Sequence, residues 1–189
     1  MTHARVLSAL AGLGLLLSLM GGGAWPGSAR AQVDWAHDAV REAFPEGIDL
    51  TRETFFFGPE AVRRIAREGD VPMNSRLYSV FRAQRDGRTV GYATVPTVAV
   101  RANPATLLIR ISETGTVQEV RILVWRGAPR YRPAPAWLDQ FEGVAADDLP
   151  RLGSHIEPGG FRQIGARAIV EAVRRFLTIY RLRLAEGGF

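Results

Sequence analysis

Two hairpin signals in the middle of the chain constrain its fold more than any other feature. A pair of β-prone apolar stretches flanks Asp86-Gly87, and a second pair flanks Glu113-Thr114-Gly115. Short glycine-containing loops between such stretches are typical of antiparallel hairpins. The four predicted strands are 77–83, 90–95, 106–111 and 117–125. They predict an antiparallel sheet of about four strands, with one face covered by helices.

A long amphipathic segment near the C-terminal end is predicted to cover that sheet. Its apolar residues recur at helical spacing: Ala168, Ile169, Ala172, Val173, Phe176, Leu177, Tyr180 and Leu184. This stripe predicts a helix packed on the core. Four arginines of the same segment are expected to face water: Arg174, Arg175, Arg181 and Arg183. A basic helix lying on a membrane surface is the alternative interpretation.

Two further helices are predicted before the sheet. Residues 33–44 carry apolar positions at helical spacing, and a second helix begins at Pro59 and closes at Gly69-Asp70. Phe55-Phe56-Phe57, between them, is expected to be a buried plug. The fold class is therefore α+β, with residues 32–76 as an N-terminal helical extension and residues 77–185 as the main domain.

The first 31 residues have the pattern of a targeting segment. Arg5 precedes an apolar run from Val6 to Met20, and Ala29-Arg30-Ala31 matches a signal-peptidase site. The pattern predicts an exported protein, either periplasmic or anchored to the membrane and facing the periplasm. Extending the apolar run to Trp25 gives about the 20 residues that a membrane anchor needs, so an uncleaved anchor is the alternative.

Charge and composition exclude several classes of protein. All 24 basic residues are arginine, but 19 acids are interleaved with them and the net charge is only +5. This is not the electrostatic footprint of a nucleic-acid-binding protein. The chain has no cysteine, which excludes disulfides, thiolate metal sites and cysteine-ligated clusters.

No catalytic or metal-binding group is predicted. The sequence after the targeting segment has two histidines, His37 and His155, and neither belongs to a recognisable metal-ligand spacing. Ser154 next to His155 is sequence adjacency rather than a nucleophile–base pair, and no G-x-S-x-G motif occurs.

The start of the final helix is the candidate binding site. A helix N-terminus presents unpaired N–H groups that favour an anion such as phosphate. The candidate residues there are Gly159, Gly160, Arg162, Gln163, Gly165 and Arg167. Trp125, before the proline-rich loop that includes Pro129, is a candidate stacking surface for an aromatic ligand. The plainer alternatives are a glycine turn with solvated arginines and a tryptophan that belongs to the core.

The second half of the chain resembles the FMN-binding domain of peripheral subunits in Rnf-type and sodium-translocating quinone reductase complexes. It is also similar to small exported proteins that carry this domain alone. The similarity covers about residues 77–184 and is carried by Gly91-Tyr92-Ala93, the strand 117–125 with its proline loop, and segments 137–143 and 166–173.

The family's attachment motif is degenerate in this chain. The family has Ser-Gly-Ala-Thr before the helix, and its Thr forms an ester with the FMN phosphate. Gly160, Phe161, Arg162 and Gln163 occupy these four positions, and no Ser or Thr occurs between Ser154 and Thr178. An amide cannot form a phosphoester, so the alignment excludes covalent flavin at this site.

The resemblance implies an exported electron-transfer module rather than an enzyme, with FMN held without a covalent bond. The candidate cofactor contacts are the eight residues named above at the helix start and the proline loop. A membrane redox complex or another redox protein is the implied partner, with membrane contact through the N-terminus. The alternative is a flavin-free interaction or binding module that keeps only the fold.

Overall fold

The structure is a computed structural model, and it describes residues 27–159, 163–185 and 187. These residues form the predicted α+β fold, an antiparallel sheet with a long C-terminal helix. The helices are α1 (Gly27–Glu42), α2 (Pro59–Gly69), the short α3 (Pro135–Leu138) and α4 (Gln163–Ile179), which continues as a π-helical segment, Tyr180–Ala185. The strands are β1 (Asp49–Phe56), β2 (Leu77–Arg85), β3 (Arg88–Thr94), β4 (Thr97–Val100), β5 (Asn103–Ser112) and β6 (Val117–Trp125).

The sheet is antiparallel throughout, and its central strand is β5. One end of β5 pairs with β3 and the other with β4, while β6 pairs along the opposite edge. β3 and β4 therefore lie end to end and are separated only by Val95-Pro96. Pro96 cannot donate a ladder hydrogen bond, but its carbonyl accepts one from the Leu107 N–H at 3.0 Å. β2 pairs with β3 on one side and with β1, the outer strand, on the other.

The predicted count of about four strands was too low, because the sheet has six. β4 was missed since Pro96 and Pro104 interrupt its sequence pattern. β1 was missed since three consecutive phenylalanines hide its alternation. Of the three phenylalanines predicted to form a buried plug, only Phe57 is buried. Phe56 is 67% exposed and is the last residue of β1.

The turn chemistry predicted both hairpins correctly. Asp86 and Gly87 have φ values of 50° and 76° between β2 and β3, and Gly115 has φ 80° between β5 and β6. The ring of Tyr180 lies directly over Gly115, where a Cβ would collide with it. The Tyr180 hydroxyl donates to the Glu113 carbonyl at 2.7 Å, so this hairpin fastens the π-helical end of α4.

The two faces of the sheet are covered by different helices. α4 packs on the larger core, with Leu107, Ile109 and Ile111 of β5 among the fully buried side chains. On the opposite face Val40 of α1 packs with Phe81, Ala93 and Leu108. α2 packs beside the end of α4 through Ile65, Ile179 and Leu182. In the described part of the chain, no helix has the length and hydrophobicity needed to span a bilayer.

One of the four arginines predicted to face water does not. Arg174 has a side chain only 6% exposed. Its Nε donates to the Gly69 carbonyl at 2.8 Å, and its Nη1 donates to the Pro150 carbonyl at 3.1 Å. The stripe pattern could not show this, because helix α2 ends against this side of α4 and removes the arginine from water.

Candidate functional site

The structure brings two of the predicted site residues, Trp125 and Gly165, into contact. The end of β6, the loop after it and the first turn of α4 meet at Gly165, where a Cβ would collide with the Tyr131 carbonyl oxygen. The same Cβ would lie 2.8 Å from the edge of the Trp125 ring. Only glycine allows the helix to approach the loop this closely.

Trp125 belongs to the packing of this junction. Its indole Nε1 donates to the Ala128 carbonyl at 3.3 Å, and its ring packs against the edge of the main core. Gly127 lies beneath the same ring. The geometry favours the plainer interpretation of this residue, a tryptophan at the rim of the core.

The remaining predicted residues lie on the outer side of the junction. Pro129 is exposed and opens a 3-10 turn that ends at Tyr131. Gln163, the first residue of α4, and Arg167, one turn later, are exposed. Gly159 is exposed as well, with φ 62°. Gly160 and Arg162 lie outside the described residues.

This junction fits one part of an FMN molecule and not the other. The first turn of α4 carries no acidic residue, and Arg167 lies beside it, which suits a phosphate group. The resemblance would place the isoalloxazine ring between α4 and the proline loop. At Gly165 there is no room for it, because the helix contacts Tyr131 and Trp125 directly.

A second place in the molecule has the form of a binding cavity, and the sequence did not reveal it. Between the first residues of β2 and the β3–β4 interruption the sheet is open, because β2 pairs with β3 only from Phe81 onward. A cavity of about 310 Å³ occupies this opening. Its polar lining consists of Arg52, Asn74, Ser75, Tyr78, Ser79, Thr94, Thr97 and Arg175. We name it the split-sheet cavity.

Hydrogen bonds hold the rim of the split-sheet cavity. The Thr94 hydroxyl donates to the Ser79 carbonyl at 2.9 Å across the opening. The Ser79 hydroxyl lies 3.1 Å from Arg52 Nη2 and 2.9 Å from the Thr54 hydroxyl. The guanidinium group of Arg175 donates twice to the Pro72 carbonyl, at 2.8 and 3.2 Å.

Two other cavities are less suited to a ligand. One of about 320 Å³ lies between β6 and residues 132–139, where its charged lining is mixed and includes the Arg121–Glu119 ion pair at 3.2 Å. The other, of about 200 Å³, lies beneath the end of α1, around Phe44 and Pro45. Both are lined by charged residues of both signs.

The histidines have structural neighbours. His37 of α1 lies edge-on to Phe81, with the ring centroids 6.1 Å apart. His155 Nε2 lies 3.6 Å from Asp148 Oδ1 in the loop before α4. In residues 27–159, 163–185 and 187, no group of three or more acidic or histidine side chains is placed to hold a metal ion.

No protein-family model matches the chain, and no curated protein is significantly similar to it.

Proposed function

We propose that this chain is an exported binding module that keeps the architecture of an FMN-binding domain without a resident flavin. One observation carries the proposal: at the start of α4, Gly165 closes onto Tyr131 and Trp125, where the flavin ring would lie. Gln163, at the position of the ester-forming threonine, supports the same conclusion since an amide cannot hold FMN covalently.

Export is supported by the sequence pattern of the first 31 residues. Residues 1–26 lie outside the described structure, and helix α1 begins at Gly27. Cleavage after Ala31 would leave most of α1, including Val40, which is fully buried against the sheet. A mature protein that begins at Gln32 therefore keeps the contacts of α1 with the sheet, and N-terminal sequencing of secreted protein measures where the cut falls.

An electron-transfer module with non-covalent FMN is the second candidate function. The observation that favours it is the phosphate side of the junction, where the acid-free first turn of α4 lies beside Arg167. In this candidate the flavin supplies the redox chemistry, and the protein supplies its placement and local charge. The partner would be a membrane redox complex or another redox protein.

One experiment separates these two functions. The purified protein is inspected for the flavin absorbance band at ~450 nm and then titrated with FMN and with riboflavin. We expect colourless protein that takes up neither compound. Yellow protein whose colour is released by acid would contradict the flavin-free proposal and support electron transfer.

Arg167→Gln supplies the matched test of the phosphate side. In the electron-transfer candidate this change weakens FMN binding and leaves riboflavin binding unchanged, because riboflavin has no phosphate. In the flavin-free module it changes neither titration.

A further inference from the structure

The split-sheet cavity contains positive charge that the fold leaves unneutralised. Arg52 of β1 and Arg175 of α4 both line it, and no Asp or Glu is among the described residues of its lining. Neither arginine has an ion pair in the described part of the chain. Arginines elsewhere in the molecule do have carboxylate partners, for example Arg82 with Glu53 and Arg181 with Glu68.

Both arginines are held in place by neutral groups. Arg52 donates to the Ser79 hydroxyl, and Arg175 donates to the Pro72 carbonyl. These bonds orient the guanidinium groups without cancelling their charge. A guanidinium group that is oriented but not paired is well suited to bind an oxyanion, since less freedom is lost when the anion arrives.

Tyr78 adds a buried polar group to the same wall. Its hydroxyl is shielded from water, lies close to the Thr94 hydroxyl and forms no well-placed hydrogen bond among the described residues. Burial raises the pKa of Tyr78 to about 12, although the neighbouring Thr94 hydroxyl and the charge of Arg175 act in the opposite direction. The phenol therefore remains protonated at neutral pH and keeps a hydrogen to donate. Unpartnered buried groups are uncommon in folded proteins, and a ligand-binding role is one reason for their retention.

The rest of the lining is apolar and limits the size of the ligand. Phe81, Leu77, Met73, Val95 and Pro96 form this part of the wall. The volume of about 310 Å³ is at the lower end of the range for small-molecule sites. The cavity is thus suited to a small molecule with one charged end and one apolar end.

We propose that the split-sheet cavity binds a small organic anion, a carboxylate or phosphate, whose oxyanion group is held by Arg52 and Arg175 and whose apolar part packs against Phe81 and Leu77. The Tyr78 hydroxyl donates a further hydrogen bond to this ligand. The proposal rests on the binding function above, to which it adds a site and a class of ligand.

The test is calorimetric titration of the purified full chain with three probes of similar shape: benzoate, phenyl phosphate and the neutral benzamide. We expect saturable binding of at least one anion, and binding of benzamide that is about tenfold weaker or more, because it lacks the charge. The tighter of the two anions identifies the preferred head group. Equal binding of benzamide, or no binding of either anion at millimolar concentration, would overturn the proposal.

Variants assign the binding to this cavity. Arg52→Gln and Arg175→Gln are each expected to weaken anion binding by about tenfold or more, since each removes a charged donor. Arg88→Gln is the matched control, because Arg88 is exposed at the far end of the β2–β3 hairpin. Equal loss in the control, or no loss in the two cavity variants, would place the binding elsewhere and refute the assignment.

Tyr78→Phe tests the hydroxyl independently of folding. We expect weaker anion binding together with unchanged or higher thermal stability, because the change removes a buried group that has no well-placed hydrogen bond. Unchanged affinity would eliminate the tyrosine from the site.

The two proposals fail separately. Colourless protein that binds no anion leaves the flavin-free module standing and removes the cavity site. Yellow protein that binds benzoate through Arg175 removes the flavin-free module and leaves the cavity site standing.

Discussion

Arg174 and Arg175 are neighbours in the sequence, yet the fold uses them in opposite ways. Arg174 is buried and donates to two backbone carbonyls, and its Nη2 lies 3.3 Å from Asp70 Oδ2. Arg175 is partly exposed and lines an open cavity, and the Pro72 carbonyl is its hydrogen-bond acceptor among the described residues. The guanidinium group of Arg174 has its hydrogen-bond and charge partners within the protein. The charge of Arg175 has no carboxylate partner among the described residues and is free to attract a ligand. Arg174 is therefore a structural residue, whereas Arg175 is a candidate for binding a ligand.

The cost of burial is visible at Arg174. Removal from water lowers its pKa, while the charge of Asp70 acts in the opposite direction. The Asp70 side chain is 88% exposed, so it is a weakly attached partner. The backbone carbonyls of Gly69 and Pro150 are then the main stabilising contacts of this arginine.

Arg174→Met should have the largest effect on stability. It leaves two buried carbonyls without donors, and we expect a loss of about 3 kcal/mol in the free energy of unfolding. Urea denaturation measures it. Arg175→Gln is the matched control, since it removes the same charge one residue away. Equal losses of unfolding free energy in the two variants would show that Arg174 is no more important for stability than Arg175.

Alkaline pH should destabilise the protein through Tyr78. Its pKa is raised by burial to about 12, whereas the unfolded chain has a tyrosine pKa of about 10. The stabilising contribution of the neutral phenol is therefore fully present below pH ~10 and is lost as the pH rises from about 10 to about 12. Tyrosinate absorbance follows this titration, and Tyr78→Phe should remove its latest step. A latest step that persists in Tyr78→Phe would assign it to another tyrosine.

Tyr78→Phe should raise stability at neutral pH, by up to about 1 kcal/mol, because the buried hydroxyl has no well-placed hydrogen bond to lose. Urea denaturation in the absence of any anion measures it. A loss of more than about 1 kcal/mol would show that the hydroxyl is hydrogen-bonded in the folded protein. Tyr78 would then have a structural role, like Arg174, rather than a binding role, like the one proposed for Arg175.

Arg175→Gln should change stability by less than about 1 kcal/mol, since its bonds to Pro72 are partly exposed. The same variant should lose anion binding. A large stability loss with intact binding would reverse the roles assigned to the two arginines.

Asp70→Asn should have the smallest effect, less than about 0.5 kcal/mol, because the carboxylate is exposed and asparagine also tolerates the left-handed backbone at this position, φ 47°. Denaturation at low and high salt measures the ionic part. A loss comparable to that of Arg174→Met would make the ion pair, rather than the carbonyl contacts, the main support of Arg174.

Local sequence signals predicted the elements whose chemistry is local. Asp86-Gly87 specified a tight hairpin, and Pro59 with Gly69-Asp70 marked both ends of α2. The missed strands lack such signals, because β4 lies between two prolines and β1 ends in a run of phenylalanines. These two strands are formed by hydrogen bonds to β2 and β5, and the spacing of apolar residues along the sequence does not show which strands will pair.

The candidate sites depended still more on tertiary structure. The resemblance indicated a site formed by Trp125, Pro129 and the start of α4, and in the structure Trp125 contacts Gly165 of α4. The contact at Gly165 that fills the junction could not be read from a glycine alone. The split-sheet cavity joins Arg52, Tyr78 and Arg175, which are far apart in sequence, and nothing in their local patterns links them.

The position of α4 after all six strands has a consequence for synthesis of the chain. The ribosome releases the sheet before the helix that covers its larger face, so the apolar side of β5 emerges uncovered. The bond from Arg174 to the Gly69 carbonyl spans 105 residues and can close only when the last helix has emerged. Contacts of such long range slow folding. A nascent chain of this protein therefore stays without a complete core until α4 has been synthesised.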